Sequence, residues 1–181
     1  IESSQWMENI KAVDNEIDGY IASPPCLFQE YKTIYDERLF FIDQFFKKPI
    51  YPNYKSCYIY ESKRNMASFL DFYDLPHAKT RVFSKKNEAI EYLRQATYPI
   101  VVKSNIGAGG TAVYIVDSFG KAKRISNKIF GCHNGLICTG NKPTSDKYLI
   151  PIGLSGQSQK HNMIVQDFHK IKWEWRVLKI G

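Results

Sequence analysis

A glycine cluster preceded by a lysine is the part of this sequence that most clearly predicts chemistry. Residues 98–117 read YPIVVKSNIGAGGTAVYIVD, and Lys103 ends the first apolar run. Backbone N–H groups of glycine-rich loops bind phosphates, and a neighbouring lysine neutralises the phosphate charge. The alternative is a hairpin whose tip only turns the chain, because glycine adopts positive φ wherever a turn needs it.

The residues that follow the glycines exclude two common phosphate loops. The Walker A loop needs a lysine and a serine or threonine after its last glycine, and both it and the dinucleotide fingerprint continue into a helix. Here the sequence continues as TAVYIVD, whose β-branched and aromatic residues predict a second strand. The unit is therefore predicted to be strand, glycine loop, strand.

The first of these strands places an apolar side chain and a cation on one face. Alternate residues of a strand share a face, so Val101 lies beside Lys103 while Ile100 and Val102 point the other way. An apolar side chain next to a cation suits a ligand that carries a purine ring and a phosphate group. A solvated lysine at a strand end is the alternative interpretation of Lys103.

Composition is that of a globular protein with one domain or two small ones. The chain has 181 residues, 44% of them hydrophobic and 24% charged. Its net charge of +7 suits a nucleic acid, a membrane surface or an anionic ligand, but the 25 Lys and Arg residues form no basic run of five or more. The four cysteines lack a CxxC pair and are predicted to be reduced. No apolar run approaches the ~20 residues that span a bilayer, and no signal peptide is visible, so we expect a cytoplasmic protein without a membrane partner.

Periodicity and turn residues divide the chain into short helices and strands. A helix that begins at Ser62 is predicted to carry Met66, Phe69, Leu70 and Tyr73 on one face. The other predicted elements are a strand near 17–24, a helix over 29–47, an extended connector over 49–60, a strand over 77–83, a helix capped by Ser84, a helix beginning near Ser118, a long connector over 131–162, and strands over 163–169 and 173–181.

The order of these segments resembles the ATP-grasp superfamily. ESKRNMASFLDFYDLP, HAKTRVF, YPIVVKSNIGAGGTAVYIV and IVQDFHKIKWEWRVLKIG follow one another as in that family, where a lysine opens a helix and a YPVVVKP strand precedes a GxGGxGV flap. The likeness spans 50–181 and is closest to the glutamate ligases that modify ribosomal protein or cofactor tails. It implies an α/β (α+β) fold in which a small pre-ATP-grasp segment over 1–58 precedes an ATP-grasp domain over 59–181, with a flap hairpin and a truncated C-terminal subdomain.

The resemblance also implies a nucleotide site. Lys63 and Lys103 would bind the ATP phosphates under the flap, Gln166 would open the hinge, and backbone groups of the hinge would meet the adenine edge with Phe168 in the core. Glu174 falls where an acidic residue takes the ribose hydroxyls, although it could instead pair with Arg176 across strands. The implied nucleotide-binding residues are Lys63, Val101, Lys103, Gly107, Ala108, Gly109, Gly110, Thr111, Gln166, Asp167, Phe168, His169 and Glu174.

The implied activity is that of an ATP-dependent carboxylate–amine ligase that acts through an acyl phosphate. ATP and Mg²⁺ are the expected cofactors, the acceptor is an unknown carboxylate or amine, and no catalytic residue is assigned. The magnesium ligands of the family lie past the position of Gly181, so we expect a fragment with little turnover by itself and an unpaired strand edge that favours self-association. A non-catalytic nucleotide-binding module and a basic nucleic-acid binder are the open alternatives, although no nucleic-acid signature is present.

Overall fold

The computed structural model describes residues 3–23, 29–103, 105–106, 113–130 and 162–173. Helices and strands are mixed along these ranges, which confirms the predicted α/β (α+β) fold class. None of the helices described there is long and apolar enough to cross a membrane. The elements are α1 (Trp6–Asp14), β1 (Tyr20–Ile21), α2 (Gln29–Phe45), β2 (Ile50–Tyr51), α3 (Tyr54–Ile59), α4 (Lys63–Phe72), β3 (Thr80–Phe83), α5 (Lys86–Gln95), β4 (Ile100–Lys103), β5 (Val113–Val116), α6 (Phe119–Phe130) and β6 (Met163–Asp167).

An antiparallel sheet with the strand order β3-β6-β4-β5 carries the glycine segment. Strand β4 pairs with β5 so that Ile100 lies opposite Val116 and Lys103 lies opposite Val113. This pairing confirms the prediction of two strands on either side of the glycines, which themselves lie outside the described residues. Strand β6, which is last in sequence among the described strands, lies between β3 and β4.

One face of this sheet is buried under α5 and α6. In β4, Ile100 is 1% exposed and Val102 is 0% exposed, whereas Val101 and Lys103 are only half-buried. The predicted alternation is therefore confirmed, and the face that carries Lys103 is the one turned away from the helices. The core under the helices consists of Ala89, Leu93, Ile100, Val102, Val116, Ala122, Ile129, Met163 and Val165.

The segment before α4 has a smaller core of its own. Strands β1 and β2 pair in parallel, and α2 packs on α3 through Tyr35, Leu39 and Cys57. Gly19 precedes β1 at a close approach, because a Cβ atom there would lie 2.8 Å from the carbonyl oxygen of Pro49. The predicted helix over 29–47 is confirmed as α2. The domain boundary between 58 and 59 stays a prediction, and it falls one residue before the end of α3.

Two predictions about local structure are wrong. The connector over 49–60 contains β2 and then α3, because the Asn53 side chain caps α3 by accepting a hydrogen bond from the Ser56 N–H at 2.9 Å. Helix α5 has Lys85 at its N-cap position, without a side-chain cap, so Ser84 is not the cap. The helix predicted from Ser62 is confirmed as α4; its buried residue is Ala67, while Met66 and Tyr73 are 42% and 45% exposed. The connector predicted over 131–162 and the strand predicted over 173–181 lie almost wholly outside the described residues.

Candidate nucleotide-binding site

Lys103 lies on the sheet face opposite the helices and is held there by side chains of two neighbouring strands. Register places Val101 opposite Gln166 and Lys103 opposite Ile164, and directly opposed residues share a face. Lys103 Nζ donates a hydrogen bond to Gln166 Oε1 at 2.5 Å, and Gln166 Nε2 donates to Thr80 Oγ1 at 2.9 Å. This chain of hydrogen bonds keeps the ammonium group of Lys103 over the sheet.

Lys63 is the first residue of α4, and the local backbone fixes its direction. Ser62 is the N-cap, and its Oγ accepts a hydrogen bond from the Asn65 N–H at 3.4 Å. Glu61 precedes the cap with a φ of 56°, a left-handed conformation that costs a non-glycine residue roughly 1–2 kcal/mol. Lys63 donates from both its backbone N (3.2 Å) and its Nζ (3.4 Å) to the carbonyl oxygen of Asn105. The start of α4 is therefore attached to the segment that follows β4.

Asn105 is the residue that makes this attachment, and it is 1% exposed. Its Oδ1 accepts hydrogen bonds from the Arg64 N–H at 2.9 Å and from Ser62 Oγ at 3.3 Å, and its Nδ2 donates to Gln29 Oε1 at 2.6 Å. A buried amide with these partners fixes three segments relative to one another. Asn105 was not among the sequence-predicted residues. Its only signal is an asparagine between a lysine and a glycine cluster, which does not reveal contacts with residues about forty positions away.

Both lysines lie where a positive charge is unfavourable. Burial lowers the pKa of Lys103 below its ordinary value of 10.5. Burial also lowers the pKa of Lys63; the charge of Glu61 opposes this shift and the positive charge of Lys103 adds to it. The two ammonium groups are thus close enough to repel each other, and an anion bound between them would relieve both effects. Such an arrangement suits phosphate groups.

The structure brings four of the sequence-predicted residues together: Lys63, Val101, Lys103 and Gln166. Asp167 ends β6 and uses its backbone N–H in a hydrogen bond to the carbonyl oxygen of Lys79 at 3.0 Å, so that N–H is not available to adenine. Phe168 is half-buried rather than in the core, and His169 is exposed. Gly107, Ala108, Gly109, Gly110, Thr111 and Glu174 lie outside the described residues, and the binding roles of all these residues stay predictions.

Metal ligands are not gathered in the part of the chain that the structure describes. No group of three or more His, Cys, Asp or Glu side chains there is arranged to hold a metal ion. The described site therefore offers cations and hydrogen-bond donors to an anionic ligand. It does not offer the carboxylate cluster that would bind magnesium without a nucleotide.

Known proteins share this sequence pattern. A family model described as phosphoribosylglycinamide synthetase, ATP-grasp (A) domain, matches residues 61–140. A phosphoribosylamine–glycine ligase of Caldanaerobacter subterraneus is 25% identical over 176 residues, which cover 93% of this chain and 41% of that relative. The enzyme of the same name from Clostridium acetobutylicum is 32% identical over 88 residues, covering 49% of this chain and 21% of the relative.

A solved structure of an ATP-grasp RimK domain protein from Sphaerobacter thermophilus aligns with a TM-score of 0.46 and 17% identity, covering 75% of this chain and 43% of that one. The chain thus spans about two-fifths of the length of the first curated relative. The family-model match contains Lys63, Lys103 and the glycine cluster, in the order that the sequence predicted. The family-model match and the ligase relatives confirm the predicted resemblance to the ATP-grasp superfamily.

Proposed function

We propose that this chain is the ATP-binding part of an ATP-dependent carboxylate–amine ligase. The observation that carries the proposal is the pair Lys63 and Lys103. Burial lowers the pKa of each of these two half-buried cations, the charge of Lys103 adds to the shift of Lys63, and Lys63 donates hydrogen bonds to the carbonyl oxygen of Asn105 on the segment that leads from Lys103 into the glycine cluster. Ordinary surface lysines do not meet in this way, because they stay solvated. A bound polyphosphate would add negative charge beside both lysines and favour their charged forms.

The residues of this chain would act through charge and position. ATP, when bound, supplies the phosphoryl group. A substrate carboxylate oxygen forms a bond to the γ-phosphorus as the bond from that phosphorus to the ADP oxygen breaks. The amine nitrogen then forms a bond to the carbonyl carbon and loses a proton, while inorganic phosphate leaves. Lys63 and Lys103 would stabilise the charge on the phosphate oxygens, and the predicted flap over 107–111 would exclude water from the acyl phosphate.

The acceptor, the metal and the location are proposed only in outline. The relatives are named for joining phosphoribosylamine and glycine, and we extend the ligase class to this chain without extending those two substrates. Magnesium would bind through the nucleotide phosphates and through ligands outside the described residues. We also propose that the protein acts in the cytoplasm.

Nucleotide titrations of lysine variants test the proposal. Lys63→Ala and Lys103→Ala should each weaken ATP binding about 10- to 100-fold, since a partly desolvated charge-assisted contact contributes on the order of 1.5–3 kcal/mol. Adenosine has no phosphates, so its affinity should stay the same. The matched control is Lys121→Ala, because Lys121 is an exposed lysine that pairs with Asp117 at 2.6 Å.

The outcomes separate the remaining alternatives. If all three variants weaken ATP binding equally, general basicity explains the binding and the two-lysine site is wrong. ATP binding that depends on both lysines, but without ADP release or hydroxylamine-trapped acyl phosphate in the full-length protein, indicates a non-catalytic nucleotide-binding module. The ligase proposal requires both products.

A further inference from the structure

A cleft lies between α2, α3 and the first turn of α4. Its volume is about 330 Å³, which is at the small end of the range for pockets that bind small molecules. Side chains of both charges and three aromatic rings line it. None of the sequence-predicted nucleotide residues does.

The cleft is directly connected to the lysine site. Ser62 and Arg64 line it, and they flank Lys63 in the sequence. Gln29, at the start of α2, also lines it and accepts the hydrogen bond from Asn105 Nδ2 at 2.6 Å. Asn105 thus contacts residues of both sites, so a molecule in the cleft would lie next to the phosphates proposed above.

The base of the cleft is a saturated ion pair. Lys32 is 1% exposed, and its Nζ donates hydrogen bonds to the Asp36 carboxylate, to the Cys57 carbonyl at 3.2 Å and to the Tyr58 carbonyl at 3.3 Å. These three acceptors use the three N–H bonds of an ammonium group. Lys32 is therefore part of the wall and is not available to a ligand.

Arg64 is the lining cation whose hydrogen-bonding capacity is not filled within the described residues. Its Nη1 donates to Asn162 Oδ1 at 2.9 Å, while its Nε is buried and has no hydrogen-bond partner in the described part of the chain. A buried guanidinium N–H without an acceptor is unusual and indicates a missing partner. A carboxylate is the acceptor whose shape matches the guanidinium fork.

The α2 wall has the opposite character. Asp36 and Glu37 are neighbours there, and Phe40 of α2 is 47% exposed; Tyr58, on α3, is 43% exposed, and its ring centroid lies 5.8 Å from Lys32 Nζ. Carboxylates beside accessible aromatic faces bind protonated amines through charge and cation–π attraction. Two lining residues are cationic, Lys32 and Arg64, and two are anionic, Asp36 and Glu37, so the formal charges of the lining sum to zero.

We propose that this cleft binds a small zwitterion, with its carboxylate on Arg64 and its protonated amine against Glu37 and the rings. A phosphate or other polyanion would be repelled by the two acidic side chains, and a simple amine by Arg64. The identification of this zwitterion as the substrate to be ligated rests on the proposed function. The binding of a zwitterion in the cleft does not depend on the proposed function.

Calorimetric titrations with defined probes test the cleft. Glycine, β-alanine and L-glutamate are titrated with and without a non-hydrolysable ATP analogue, and acetate and methylamine serve as half-ligands. At least one amino acid should bind, and the half-ligands should bind at least tenfold more weakly. If no amino acid binds under either condition, or if a half-ligand binds as tightly as the best amino acid, the inference is wrong.

Two variants locate the bound molecule. Arg64→Met should weaken amino-acid binding at least tenfold, while Arg124→Met, on the exposed surface of α6, should leave it unchanged. Because Arg64 is partly buried, Glu37→Gln supplies a second test at an exposed position where folding is not threatened, and it should weaken binding about threefold. Amino-acid binding that survives both Arg64→Met and Glu37→Gln places the molecule elsewhere and overturns the inference.

The same samples separate this inference from the proposed function. Failure of the wild-type protein to bind ATP would count against the nucleotide site whatever the amino acids do. Normal ATP binding together with no amino-acid binding would count against the cleft alone.

Discussion

Two lysines, one buried and one half-buried, have opposite surroundings. Lys32, between α2 and α3, is 1% exposed and donates to a carboxylate and two backbone carbonyls. Lys103, at the end of β4, is half-buried, and within the described ranges its one hydrogen-bond acceptor is the neutral amide oxygen of Gln166. The first lysine has its charge compensated inside the protein, whereas the second does not.

This difference distinguishes a structural cation from one that is suited to a ligand. A paired lysine whose three N–H bonds are all used has no donor left for a ligand, so its effect is to hold α2 against α3. A lysine with a neutral partner keeps N–H groups and an uncompensated charge. Burial accordingly lowers the pKa of Lys103, and an anion would restore its preference for the charged form.

The largest expected effect is a loss of stability when the structural lysine, Lys32, is replaced. Lys32→Met leaves the largely buried Asp36 carboxylate unpaired and removes the donor of two carbonyls. Losing one member of a buried ion pair costs about 3–5 kcal/mol, so the free energy of unfolding in urea should fall by about that amount. The control is the double variant Lys32→Met with Asp36→Leu, which should recover most of the loss. Equal stability of the single and double variants would show that the pair does not act as a unit.

An intermediate effect is expected where the two sites meet, at Asn105. Asn105→Ala removes the acceptor for the Arg64 N–H, and an unsatisfied buried polar group costs about 1–3 kcal/mol. The Asn105 side chain holds in place the backbone carbonyl that accepts hydrogen bonds from Lys63, so ATP affinity should fall together with the free energy of unfolding. Ser62→Ala is the comparison variant: it removes the N-cap of α4, should cost about 1 kcal/mol, and should lower ATP affinity less than Asn105→Ala does, because Asn105 still accepts the hydrogen bond from the Arg64 N–H.

Binding and unfolding are measured on both variants at a temperature where each is folded. If Asn105→Ala binds ATP as the wild-type protein does, Asn105 caps α4 without positioning the lysine, and the structural link between the two sites is wrong.

Local patterns predicted the elements that carry the lysine site. The alternation over β4 and the apolar stripes of α5 and α6 depend only on nearby residues, so they could be recognised in the sequence. The resemblance to a known family then singled out Lys63 and Lys103, and the structure places them close enough to repel.

Long-range contacts could not be predicted from such patterns. Lys32 and Asp36 are four residues apart, a spacing typical of a solvated pair on a helix surface, and only the packing of α3 on α2 buries them. Asn105 shows the same limit, since its partners come from α2 and α4. Helix α3 was missed because a proline and several aromatic residues hide a six-residue helix whose cap is a single asparagine.

The smallest expected effect has the opposite sign to that of Lys32→Met. Lys103→Met keeps the length of the side chain and removes an uncompensated charge, so at neutral pH the protein without nucleotide should become more stable, with a Tm higher by on the order of 2 °C. The variant should also lose most of the Tm increase that ATP gives to the wild-type protein. Thermal unfolding with and without ATP measures both changes.

The pH dependence of this small gain tests its cause. The folded-state pKa of Lys103 is below its ordinary value of 10.5, so between those two pKa values the unfolded wild-type chain binds more protons than the folded one. Wild-type stability must therefore gain from this group as pH rises through that window, because the folded protein no longer holds a buried charge. The advantage of Lys103→Met should be complete below the lowered pKa and should vanish as the pH approaches and passes 10.5. Comparing the two Tm values at each pH removes the titration of the tyrosines; the titration of Lys63 does not cancel, because loss of the Lys103 charge moves the pKa of Lys63 back toward its ordinary value. If Lys103→Met is less stable than wild type at neutral pH, the hydrogen bond to Gln166 is enough to compensate the charge, and Lys103 is a structural lysine like Lys32.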